Sequence, residues 1–153
     1  MKPTFFRIAY CIAASVAVTT SAAFAHEGVK NPAVMARMHG MKDIAKELKV
    51  LGRMANGATA FDQTTAKTAL VSMARHAGEA PTLFEAPEDD PKSEALPAIW
   101  EDFEDFTNKA IELETIASNL ASSVTSLDDL APGLQKLAAN CKSCHTAYRE
   151  PNQ

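Results

Sequence analysis

Cysteine is scarce in this 153-residue chain: Cys11 lies in an apolar N-terminal run, and only Cys141 and Cys144 follow it. No further cysteine or paired histidine stands by to complete a zinc site, which needs four ligands. No stretch reads as a β-strand, so a thioredoxin-like C-x-x-C at the start of a helix in a βαβ unit lacks its setting. Basic residues are outnumbered, 15 Lys and Arg against 19 Asp and Glu. That balance argues against nucleic acid as a partner. A long apolar span is missing too, because the run from Ile8 to Ala23 is broken by Ser15, Thr19, Thr20 and Ser21.

That run reads instead as a leader. Lys2 and Arg7 precede it, Ala23-Phe24-Ala25 ends it with a small-x-small cleavage site, and no twin-arginine pair is present. Residues 1–25 are therefore expected to be a cleaved signal peptide, and residues 26–153 one domain exported unfolded. Removing 25 residues from 153 leaves 128, enough for a real core. Cleavage takes Lys2 and Arg7 from the 15 basic residues, leaving 13 against 19 acidic and a formal net charge of −6. No stable membrane insertion is expected after cleavage.

What is present is Cys141-Lys142-Ser143-Cys144-His145, the C-x-x-C-H run that attaches a c-type haem through two thioethers and supplies a histidine axial ligand. On a helix these three residues fall within an arc of roughly 100°, so one flat cofactor can meet them all. An exported Cys pair would ordinarily be a disulfide; thioethers account for the adjacent histidine as well.

The rest of the chain reads as helices. Asn31-Pro32 is a cap followed by proline at the first helical position, and Val34, Met38, Met41, Ile44, Leu48 and Leu51 form one stripe before Gly52 and Gly57 weaken and stop it. Asp62 caps a second helix, with Phe61 stapled to Ala66 and an end expected at Gly78 and Pro81. A long Pro-rich, acidic loop should run from roughly Glu79 to Leu96, with Leu83 and Phe84 folding back over a pocket edge. Pro97 opens the longest helix, whose stripe from Ile99 through Phe103 and Phe106 to Val124 alternates steps of four and three. Its other side is acidic. Ser126 and Asp129 make a capping box for a last helix carrying Leu130, Leu137, Cys141, Cys144 and Tyr148 along its core face. Pro132-Gly133 is discordant there, and a restart near Ala131 is expected because interior proline costs about 3 kcal/mol. The fold class is all-α, an antiparallel four-helix bundle with a C-terminal haem attachment motif. The haem is expected inside it, where the fourth helix ends beside the start of the first.

A second axial ligand is sought on the first helix. Met41 is favoured over Met38 because it sits in register with Ile44 and Leu48, and a thioether suits electron transfer. Core filling is the commoner use of methionine. His39 points outward, and His76 and His26 are weak alternatives.

The C-terminal Cys141-x-x-Cys144-His145-x-x-Tyr148-Arg149, the Pro97-Ala98-Ile99-Trp100 helix opening and Arg37-x-x-x-Met41-Lys42 resemble the class II cytochromes c, the cytochrome c prime group with its low-spin relatives. The resemblance covers most of the mature chain. It implies a periplasmic four-helix bundle with one covalent haem c, His145 proximal, Arg149 close to the proximal face, and the residue one turn after Arg37 facing the distal side. That residue is a non-ligating Leu, Phe or Tyr in the gas-binding branch and a ligating Met in the electron-transfer branch; here it is Met41. Pro132-Gly133 departs from the family pattern. The reading is thus a non-enzymatic periplasmic electron carrier with His145/Met41 ligation, serving redox partner proteins, with a homodimer left open as its assembly. Arg37 is expected to pair with a propionate, and Trp100 and Phe103 to exclude water from the ring. The alternatives are a five-coordinate nitric oxide or carbon monoxide binder and, more weakly, a peroxidase, which needs a polar acid/base group beside open iron.

Overall fold

The structure is a computed structural model that describes residues 28–151. The expected signal peptide, residues 1–25, and His26 lie outside the described residues. Five helices follow in order: α1 (Pro32–Ala55), α2 (Gln63–Phe84), the single-turn α3 (Ala98–Glu101), α4 (Phe103–Ser123) and α5 (Leu127–Tyr148). The four long ones form an antiparallel bundle in which α1 packs on α2, α2 on α4, α4 on α5, and α5 back on α1.

The caps are where polar side chains close them. Asn31 Oδ1 accepts from the amides of Ala33 and Val34 at 2.8 and 3.3 Å, and Asp62 from that of Thr65 at 2.7 Å. Ser126 and Asp129 form the expected capping box. Past the end of α1, Gly57 adopts φ +75°, a left-handed conformation that glycine takes without a Cβ penalty.

Three boundaries differ from the sequence expectation. α2 does not stop at Gly78 or Pro81 but continues through Pro81 to Phe84, where the Phe84 ring is buried against Phe106. Burial of that ring offsets the one backbone hydrogen bond that proline removes. The longest helix is two: Asp102 leaves the helical region at φ −135°, ψ 64°, and its carboxylate accepts from the Asp105 amide to cap α4. Finally, α5 runs unbroken from Leu127 rather than restarting near Ala131. A Cβ on Gly133 would collide with both δ-methyl groups of Leu120, so glycine here lets α5 close onto α4. Pro132 beside it is exposed.

The core divides into two clusters. The larger joins Leu51, Leu70, Met73, Ala117, Leu130 and Leu137 across all four long helices. The smaller is aromatic and lies where α5 ends: Phe106 meets Phe84 at 5.0 Å between ring centroids, Phe103 at 5.9 Å and Tyr148 edge-on at 5.5 Å, with Ile99 buried beside them. The connection after α2 is shorter than expected and tightly stitched. The Asp90 carboxylate, 7% exposed, accepts from the amides of Lys30, Asn31 and Lys92. Residues 94–96 then run antiparallel to 148–150, with Leu96 N donating to Tyr148 O at 3.0 Å and Glu150 N to Glu94 O at 2.8 Å.

Candidate haem-binding site

Cys141, Cys144 and His145 occupy the last two turns of α5. Both cysteines are free and half-buried on the seam; Cys141 packs against the larger cluster and Cys144 against the aromatic one. Burial pushes both thiols above their ordinary value, Cys144 up to about 11, with Asp105 and Cys141 adding to the effect and Lys109 opposing it. Burial thus favours the neutral thiol at both positions. His145 is not on the seam. It is exposed: the motif presents its sulfurs from the seam and its imidazole from the edge of the bundle. Partial shielding, and then the charge of Arg149, lower the imidazole pKa, while Glu94 opposes them. Neutral imidazole, the form that ligates iron, is favoured.

Met41 sits half-buried on α1 and packs against both clusters, the same two that flank Cys144 and Cys141. Met38, one turn before it in the direction of the cap, is also half-buried, and His39 is exposed. His76 is occupied elsewhere: its Nδ1 lies 3.3 Å from Glu79 and its Nε2 2.7 Å from an Arg75 nitrogen.

Arg37 meets a different fate from the one expected of a propionate partner. Its side chain is 2% exposed, and its guanidinium donates to the carbonyl oxygens of Leu83 (3.0 Å), Glu88 (2.7 Å) and Ala86. It also lies over the rings of Phe84 and Trp100, 5.1 and 5.2 Å from their centroids. Trp100 Nε1 donates to Phe84 O at 2.7 Å. The two residues thus build one wall, which holds the end of α2 and the following loop against α1. Arg149 follows His145 by one turn, and its Nε and Nη2 both reach Glu94 Oε2, at 2.7 and 2.6 Å.

A polar chain along α4 escaped the sequence reading. Tyr148 Oη donates to Asp105 at 2.6 Å, Asp105 pairs with Lys109 at 3.5 Å, and Lys109 Nζ donates to Ser143 Oγ at 3.4 Å. Asn140, 6% exposed, donates to Lys109 O and Glu112. Together they fix the haem-motif turns of α5 to α4. The i,i+4 spacing of Asp105 and Lys109 was the available signal, hidden among the other acids of that face.

The donor set suits a covalent haem: two neutral thiols three residues apart on one seam, a neutral imidazole next to them, and a thioether on the facing helix. Known proteins agree. Residues 32–149 match the family described as cytochrome c'. Cytochrome c-554 of Cereibacter sphaeroides is 37% identical over 118 residues, covering 73% of this chain and 89% of its own. Cytochrome c-556 of Agrobacterium tumefaciens (strain II Chrys) is 34% identical over 110 residues, covering 71% and 89%. The cytochrome c' structure from Rhodopseudomonas palustris superposes with a TM-score of 0.76 at 26% identity, over 81% of this chain and all of that one. With its four-helix bundle and its C-terminal C-x-x-C-H run, this chain belongs to the cytochrome c' family of class II cytochromes c, whose members carry covalently attached haem c.

Proposed function

We propose that this cytochrome is a periplasmic electron carrier in which His145 and Met41 are the two axial ligands and Cys141 and Cys144 form the thioether tethers. The observation that carries the reading is Met41's position, half-buried between the two clusters against which the motif cysteines pack. When bound, the haem supplies a one-electron Fe(III)/Fe(II) couple. The protein's own part is to keep the surroundings fixed. Arg37 and Trp100 hold the α2 end and its loop in place. Phe84, Phe106 and Tyr148 keep water from the interior below the motif. Partial burial favours the neutral form of His145, the form that ligates iron.

The likeness to a cytochrome c' structure supports a second reading, an open distal position that binds nitric oxide or carbon monoxide with Met41 only as a wall. Removal of residues 1–25 on export belongs to the same proposal. The optical spectrum of the purified holoprotein decides between the readings. Low-spin bands with an oxidised far-red methionine-to-iron band support the carrier; a high-spin spectrum with rapid carbon monoxide uptake overturns it.

A further inference from the structure

α1 carries a second stripe opposite its buried one. Lys42, Lys46, Lys49 and Arg53 follow one another at steps of four, three and four, and all four are exposed. At about 100° per residue they fall within an arc of about 60°, on the far side of the helix from Arg37, Ile44 and Leu51. They span about 16 Å of helix axis.

Among the described residues no ion pair uses these charges. The two acids of the same stretch turn toward α2 instead: Asp43 Oδ2 lies 4.0 Å from His76 Nε2, and Glu47 Oε1 lies 3.5 Å from Ser72 Oγ. Like charges at i,i+3 and i,i+4 repel one another, so the stripe weakens its own helix. It does so in a chain of formal net charge −4, where acidic residues are plentiful.

We propose that this outer face of α1 is a docking surface for an acidic protein. Charge complementarity selects the occupant. An anionic membrane fits less well, because interfacial helices need an exposed apolar face. Here that face is buried in the bundle, and the exposed large apolar side chains, Val71, Ile111 and Leu127, lie on other helices. A second copy meeting this face symmetrically would set four cations against four. Lys42 directly follows Met41, so the surface begins beside the proposed iron ligand. That the partner exchanges electrons rests on the carrier reading; the docking itself does not.

The test is a titration of 15N-labelled holoprotein with polyglutamate, followed by amide shifts at low ionic strength. Shifts should gather between residues 42 and 53, and the Kd should rise about tenfold or more on going to high salt. Lys46→Glu with Lys49→Glu should weaken binding about tenfold, whereas Lys92→Glu with Lys136→Glu, an equal change of net charge at exposed sites elsewhere, should change it less than about twofold. Equal losses in the two variants, shifts centred elsewhere, or tighter binding of the stripe to phosphatidylglycerol vesicles than to polyglutamate would each overturn the proposal. A high-spin spectrum with stripe binding intact removes the electron-transfer purpose alone, and a low-spin spectrum without stripe binding removes the docking surface alone.

Discussion

Arg37 Nη1 donates to the carbonyl oxygen of Glu88 at 2.7 Å across fifty-one residues of sequence. With its bonds to Leu83 and Ala86 it makes one buried side chain the fastener between α1 and the end of α2. Arg37→Ala should lower stability by about 2–3 kcal/mol, since bonds to a charged donor are worth about 1.5–3 kcal/mol each and are not additive. Arg37→Lys should recover only part of that, because an ammonium cannot reproduce the planar fork. Denaturant unfolding of the three proteins measures both.

Met41→Leu keeps volume and apolarity while removing the thioether sulfur. On the carrier reading the variant turns high-spin, loses the far-red band and takes up carbon monoxide, with stability changed by less than about 1.5 kcal/mol. A spectrum identical to wild type shows that Met41 is core filling.

Gly133→Ala sets two effects against each other. Alanine raises helix propensity by up to about 1 kcal/mol, but its Cβ would drive into Leu120, whose side chain is locked in the larger cluster. Overpacking costs about 1–3 kcal/mol. The net change should be destabilising by about 1 kcal/mol, read as a lower Tm.

Asp129 links folding to pH. The hydroxyl and amide of Thr125, and then those of Ser126, hold its carboxyl at about 2, below its ordinary 3.8. The unfolded chain therefore binds this proton first, and the stabilisation present above pH 3.8 is lost as pH falls toward about 2. Asp129→Asn should be less stable than wild type at pH 6 and show a shallower loss between pH 4 and 2, followed by circular dichroism. Ser126→Ala should cost about 1 kcal/mol through the same cap.

Much of this was legible along the chain, because caps and stripes are local. Asn31, Asp62 and Ser126 cap their helices for reasons contained within three residues, and Cys141-x-x-Cys144-His145 carries its chemistry in its spacing. What escaped depended on distant partners. Pro81 reads as a stop unless the burial of Phe84 against Phe106 is known. Pro132-Gly133 reads as a break unless Leu120 is known to press there. Arg37 lies one turn before Met41 and so looked like a cofactor contact, yet the carbonyls that claim it come from a loop no periodicity locates. Asp102 had the residue type of a cap, but a stripe that ran through it in register hid the break.

The carboxylate of Asp90 reaches back sixty residues to the amide of Lys30. Closing a loop of that length is entropically slow relative to forming the helices it joins. The latch at the entry to α1 is thus expected to close late in folding, which a φ-value near zero for Asp90→Asn would check. Its loss would leave the refolding rate nearly untouched while letting the native protein open faster. On that expectation, how long the native state persists, as distinct from how stable it is, depends in part on that carboxylate.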